Sequence, residues 1–190
     1  MKTGLFFGSF NPVHIGHLII ANFMATHTDL KEVWLVVSPQ NPLKDKKSLA
    51  PERERLHMLR MAIDDNPKLK ASDIEFKLPR PSFTIDTLTY LDEKYPKKDF
   101  VLIMGSDNLE TLHKWKNYEN LLRKYCIYIY NRPGYEINPF PDHENIKFFD
   151  APQMVLSASA VRGFILENKS IRYMVPEQVY EYLEGSKLYR

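Results

Sequence analysis

Short apolar runs, many of their residues β-branched or aromatic, recur at Thr3–Phe7, Val33–Ser38, Ala71–Phe76, Phe100–Gly105, Cys126–Asn131 and Ile146–Phe149, and stretches of helical period separate them. No other feature constrains the chain as much. Ile15, Leu18, Ile19 and Phe23 form one helical stripe, Leu56, Leu59, Ala62 and Ile63 a second, and Ile85, Leu88 and Leu91 a third. Strands alternating with helices imply an α/β fold: a doubly wound, Rossmann-like parallel sheet with right-handed crossovers and helices on both faces. The segment Pro176–Leu183 reads as a packing helix in a small C-terminal helical part. The 190 residues contain no repeat, low-complexity tract or interdomain linker, so a single domain over 1–190 is expected. The proline-rich piece Arg132–Pro141 reads as a long loop.

A sheet of this kind binds ligands beyond the carboxyl ends of its strands, where the strand order reverses. The first run should therefore be central, and the segment after it should face the cleft. That segment is Gly8-Ser9-Phe10-Asn11-Pro12-Val13-His14-Ile15-Gly16-His17. Gly8 and Ser9 free the backbone to turn, Pro12 fixes φ before the helix, and Gly16 lets a bulky ligand approach the first helical turn. The first amides of a helix are unpaired donors at a partially positive end, which suits a phosphate group. His14 and His17, three apart, share one face of that turn.

Composition narrows the function by exclusion. One cysteine, Cys126, rules out a disulfide framework or a cysteine-rich zinc site; within a strand-like run it reads as a buried structural thiol. A net charge of +2 is too mild to argue for nucleic-acid binding, and small anionic substrates suffice. No apolar run approaches the ~20 residues of a membrane span, and the N-terminus has no signal-peptide layout. A cytoplasmic protein is expected, with homo-oligomerisation left open.

The segment Gly8–His17 resembles the H-x-G-H signature of the nucleotidyltransferase superfamily in its extended form G-[ST]-F-[DN]-P-x-H-x-G-H, and matches every specified position. Four further stretches resemble motifs of one branch, the bacterial-type nicotinate-nucleotide adenylyltransferases, in that family's order. Ser82-Phe83-Thr84-Ile85-Asp86-Thr87-Leu88 is similar to [SY]-[YF]-T-x-D-T-L, and Gly105-Ser106-Asp107, with Trp115 eight residues after Asp107, to G-x-D-x(7)-W. Arg132-Pro133-Gly134 resembles an R-P-G turn, read as structural. Leu156-Ser157-Ala158-Ser159-Ala160-Val161-Arg162 resembles I-S-[ST]-T-x-[IL]-R, departing where Ala158 replaces a hydroxyl residue and Ser159 stands for threonine.

The resemblance implies a fold, a reaction and a set of contacts. AMP would pass from ATP to nicotinate mononucleotide, giving deamido-NAD and pyrophosphate, with Mg²⁺ bridging the phosphates and held largely by substrate and water. The catalytic residues would be His14, His17 and Arg162. ATP contacts would come from Gly8, Ser9, Phe10, His14, Gly16, His17, Gly105, Asp107, Ser157, Ser159 and Arg162. Asn11, Lys44, Thr84 and Trp115 would hold the mononucleotide: Lys44 as a point charge on its phosphate, Thr84 near the helix start, Trp115 as a stacking face. Neither nucleic acid nor membrane is an expected partner.

Three rivals stand beside this reading. A class I aminoacyl-tRNA synthetase also carries His-Ile-Gly-His, and Lys44-Asp45-Lys46-Lys47-Ser48 superficially resembles its K-M-S-K-S loop, but that loop belongs after the second half of the sheet. Phosphopantetheine adenylyltransferase shares the fold but typically has threonine at the first histidine and lacks the Thr84 and Trp115 segments. A nucleotide-binding sensor retaining the fold is the non-enzyme alternative.

Overall fold

A computed structural model describes residues 1–39, 49–135 and 137–190. Six strands form one sheet: β1 (Lys2–Gly8), β2 (Glu32–Val37), β3 (Leu69–Ser72), β4 (Asp99–Gly105), β5 (Cys126–Tyr130) and β6 (Ile146–Phe149), in the order β3-β2-β1-β4-β5-β6. Every pairing is parallel. The helices are α1 (Ile15–His27), α2 (Glu52–Ala62), α3 (Thr84–Lys94), α4 (Ser106–Glu110), α5 (Tyr118–Lys124), α6 (Ala158–Leu166) and α7 (Glu177–Glu184). The doubly wound α/β fold expected from the sequence is present, with β1 central.

The period of two along each strand divides the apolar residues between two cores. Phe6, Val33, Leu35, Val37, Val101, Ile103 and Tyr128 face one side and pack with residues of α1, α2, α6 and α7. Leu5, Trp34, Val36, Phe100, Leu102, Met104, Ile127 and Ile129 face the other, against α3, α4 and α5. With both faces covered, the central strands read as continuous apolar runs, as buried parallel strands do.

Three sequence expectations shift. The third strand covers Leu69–Ser72, not Ala71–Phe76, because Ile74–Lys77 winds into a 3-10 turn that buries Ile74. The face α1 buries is Ile20, Ala21, Met24 and Ala25, whereas Leu18 and Phe23 of the expected stripe are only partly covered. This helix is apolar around much of its circumference, so periodicity could not single out the face. The small Ala21 and Ala25 side chains are those that close on the sheet. Cys126 is half-buried at the start of β5, packed against the first core.

At the amino end of the sheet, Glu32 accepts from Trp34 Nε1 (3.0 Å) and Thr3 Oγ1 (3.2 Å) and pairs with Lys98 (2.5 Å) and Lys70 (2.6 Å). Burial opposes ionisation of this carboxyl, but the two lysines outweigh it and hold its pKa at about 2. This cluster lies away from the carboxyl ends of β1 and β4, where the strand order reverses and a ligand cleft is expected.

Candidate active site

The carboxyl ends of β1 and β5 open onto a cavity of about 540 Å³, a size typical of small-molecule sites. Its lining includes Gly8, Ser9, Asn11, His14, Gly16 and His17 from the turn after β1, and Ser157, Ala158, Ser159 and Arg162 from the start of α6. Tyr130, Asn131, Arg132 and Pro133, at and beyond the end of β5, complete the wall.

The turn after β1 is shaped by Phe10, whose φ of +44° is left-handed and costly for an aromatic residue. That conformation drives its ring under the loop, where it is 1% exposed and meets Phe6 and His17 edge-on. Gly8 is required beneath it, since a Cβ there would lie 2.8 Å from the Phe10 ring. Phe10 thus supports the loop from the core and is not among the residues that line the cavity.

At the helix start, Ile15 N donates to Met174 O (3.0 Å) and His17 N turns back to His14 O (3.0 Å). Of the first three amides, only that of Gly16 has no protein acceptor among the described residues. The two imidazoles stack, with centroids 3.7 Å apart at 25°. His14 N donates to His17 Nδ1 at 3.2 Å, which puts the proton of a neutral His17 on Nε2. Burial, helped by the charge of Arg132, lowers the His14 pKa to about 4, so His14 is neutral near pH 7. Its Nδ1 is buried without a hydrogen-bond partner among the described residues.

The second wall begins with a helix cap, as Ser157 Oγ accepts from Ala160 N at 3.1 Å. One turn on, Arg162 donates to Asn11 O (2.8 Å) and Ser159 Oγ (3.3 Å), tying α6 to the turn after β1. Arg132, which the sequence places in a structural turn, lines the cavity and pairs with Asp107 at 2.9 Å. Asp107 is therefore engaged by a guanidinium and stands back from the cavity lining, as does Gly105. Gly105 makes their approach feasible: a Cβ there would lie 2.4 Å from Asp107 Oδ1 and 2.8 Å from Arg132 Cδ. Tyr130 completes this wall, its phenol pushed up to about 12 chiefly by burial.

Thr84 and Trp115 do not line this cavity, yet their segments lie together. Lys116, next to Trp115, pairs with Asp86 in the first turn of α3 (2.8 Å) and sits 4.9 Å over the Phe83 ring. Trp115 is half-buried against the second core. Thr87, one turn into α3, donates to the buried Glu75 carboxyl at 2.9 Å. Burial raises the Glu75 pKa despite bonds from Thr87, Ser38 and Ser82. Lys44 lies outside the described residues.

One residue unread in the sequence joins the turn after β1 to the residues just beyond β2 and just before α2. Arg55 is fully buried and donates to four backbone carbonyls: Ala50 (2.9 Å), Ser9 (2.6 Å), Ser38 (2.8 Å) and Pro39 (3.0 Å). The signal in the sequence is its place on the apolar stripe of α2, four residues before Leu59, where a charged side chain must find internal acceptors.

Two histidines, a glycine amide and two arginines on one cavity suit anionic substrates whose reaction redistributes charge on phosphorus; the class so defined is the nucleotidyltransferases. The cytidylyltransferase-like family model matches residues 5–164. A probable nicotinate-nucleotide adenylyltransferase of Cytophaga hutchinsonii is 52% identical over 189 residues, covering 100% of this chain and 98% of the relative. Its counterpart in Flavobacterium psychrophilum is 49% identical and covers 100% of both chains. The structure of the Plasmodium falciparum nicotinic acid mononucleotide adenylyltransferase complexed with NaAD superposes with a TM-score of 0.82 at 20% identity. That match covers 99% of this chain and 97% of the other, and supports the fold. The chain belongs to the nicotinate-nucleotide adenylyltransferase family.

Proposed function

We propose that this protein transfers AMP from ATP to nicotinate mononucleotide, releasing pyrophosphate and forming deamido-NAD in NAD biosynthesis. The carrying observation is the pair of stacked histidines at the start of α1, facing Arg162 across the cavity at the strand-order switch. An oxygen of the mononucleotide phosphate attacks the α-phosphorus of ATP, and the bond from that phosphorus to the oxygen bridging the β-phosphate breaks. The nucleophile is already anionic, so no general base is needed. Catalysis is alignment together with stabilisation of charge on the phosphates.

In this reading the Gly16 amide and imidazole N–H groups of His14 and His17 donate to the phosphates, and Arg162 supplies fixed positive charge. Arg132, anchored by Asp107, adds a second cation. Ser157 and Ser159 sit at the triphosphate end, and the hydroxyl lost at Ala158 is no obstacle, because Ser157 alone caps α6. The described cavity lining contains no Asp or Glu. Mg²⁺, held largely by substrate and water, would supply neutralisation of phosphate charge. The mononucleotide ring is assigned to the neighbouring segments of Thr84 and Trp115, with Asn11 between the two ends. No helix among the described residues is long and apolar enough to cross a membrane, and a cytoplasmic location goes with this reading.

The test is pyrophosphate release from ATP with a panel of acceptors: nicotinate mononucleotide, nicotinamide mononucleotide and phosphopantetheine. Turnover with nicotinate mononucleotide above the others is expected. Turnover with phosphopantetheine alone, or none at all, would overturn the assignment.

A further inference from the structure

The C-terminal segment reaches back to the turn after β1 at three points. Met174 O accepts from Ile15 N, Arg162 Nη1 donates to Asn11 O, and the Tyr189 hydroxyl donates to Asn11 Oδ1 at 2.7 Å. The last contact joins residues 178 positions apart. Asn11 is buried at 3% exposure, and the same Oδ1 also accepts from Ala50 N at 3.0 Å. A carbonyl oxygen has two lone pairs, so both are taken, and the Asn11 carboxamide has its donor end fixed by this arrangement.

Tyr189 adopts φ +64°, a left-handed conformation sparsely populated by aromatic residues. Beyond α7 it brings the ring back toward the β1 turn. Burial raises the phenol well above its ordinary pKa, so the hydroxyl keeps its proton as a hydrogen-bond donor at neutral pH. Asn11 therefore holds Tyr189 and Ala50 through its side chain and Arg162 through its main chain, and little in the turn can move unless these bonds break.

We propose that Tyr189 is a positioning residue for nucleotidyl transfer. By holding Asn11 Oδ1 it fixes the peptide on which Arg162 is seated, and so sets that guanidinium against the phosphates of ATP. The inference rests on the adenylyl-transfer reading of the cavity. It goes beyond that reading in making a residue after the last helix part of the phosphate-binding geometry.

Tyr189→Phe removes the hydroxyl and keeps the ring. The expected result is a fall in kcat of roughly fivefold to tenfold, the rate equivalent of one ordinary hydrogen bond. ATP affinity measured by calorimetry without acceptor weakens about threefold or more, while Tm stays within about 2 °C. Asn11→Ala removes the acceptor, so adding Tyr189→Phe to it changes neither quantity further. Wild-type kcat and ATP affinity in Tyr189→Phe, whatever its Tm, would overturn the inference, as would additive losses in the double variant. Should the wild-type protein fail to use nicotinate mononucleotide, the functional reading falls, yet the acceptor-free ATP affinities still decide the role of Tyr189.

Discussion

The imidazoles of His14 and His17 lie 3.7 Å apart, nearly parallel, and His14 N donates to His17 Nδ1. Two imidazolium cations at that distance would repel by roughly 4 kcal/mol at an effective dielectric of ~20. The stack therefore excludes two cations: burial lowers the His14 pKa to about 4, and His17 Nδ1 is held as an acceptor by His14 N. In the proposed reaction these histidines serve as aimed N–H donors to the phosphates. Replacing either by alanine is expected to lower kcat by ~10²–10³ with folding retained, the usual effect of deleting one donor at a developing charge. Steady-state kinetics beside circular dichroism checks this, and near wild-type turnover in both variants would remove them from the mechanism.

Acid sensitivity follows from the same burial. The His14 pKa is lowered in the folded protein, so below its unfolded value of 6.5 the unfolded chain binds more protons and stability falls as pH drops. The contribution is fully present above pH 6.5 and is lost between 6.5 and about 4, on the order of 3 kcal/mol. Glu32, depressed from 4.5 to about 2, adds a second loss in the window below 4.5. Denaturant unfolding at about pH 7, 5.5 and 4.5 should show the first slope in the wild type and a flatter one in His14→Gln. Equal slopes in the two proteins would show that His14 is not the source of the acid sensitivity.

Arg55 ties Ser9, on the cavity lining, to Ser38, Pro39 and Ala50, and each of its four acceptors is a backbone carbonyl. Lysine offers a point charge without the planar fork, so Arg55→Lys leaves at least one buried carbonyl unmet. A loss of about 2 kcal/mol and a Tm lower by roughly 5 °C are expected, with reduced turnover because Ser9 lines the cavity. Calorimetry and kinetics on this one variant suffice, and a wild-type Tm with wild-type kcat would show that the carbonyls are satisfied otherwise.

Acceptor choice should lie at the start of α3. The Lys116–Asp86 pair joins the Trp115 segment to the first turn of that helix, beside Thr84. Helix-start amides favour the ring carboxylate of nicotinate over a carboxamide, which must turn an NH₂ toward other donors. Such mismatches cost roughly 1–3 kcal/mol each, so a preference of at least ~10-fold in kcat/KM for nicotinate mononucleotide is expected. Trp115→Ala should raise KM for either mononucleotide and spare that for ATP, and Thr84→Ala should narrow the ratio. Equal use of both acceptors by the wild type would remove this pocket from the account, though not the reaction.

The parts legible in the sequence are those encoded by neighbours in the chain. The alternation of strands and helices and the Ser157 cap each follow from a few adjacent residues. The illegible parts depend on contacts between distant segments: Arg55 reaching Ser9 across 46 positions, or Tyr189 reaching Asn11. Arg132 reads as part of a turn because its partner Asp107 comes from the first turn of α4, 25 positions earlier in the chain. The third strand is displaced from its expected place because Ile74 and Phe76 are apolar for packing in a 3-10 turn, and a short run of this kind carries no period that distinguishes the two.

Direct transfer onto the mononucleotide is the central claim, and ATP labelled at the α-phosphorus tests it in a single reaction. With nicotinate mononucleotide present, the label should appear stoichiometrically in deamido-NAD, unlabelled pyrophosphate should be released, and no label should remain on the protein after denaturation. Label retained on the protein, or recovered as AMP with the mononucleotide unchanged, would contradict the account.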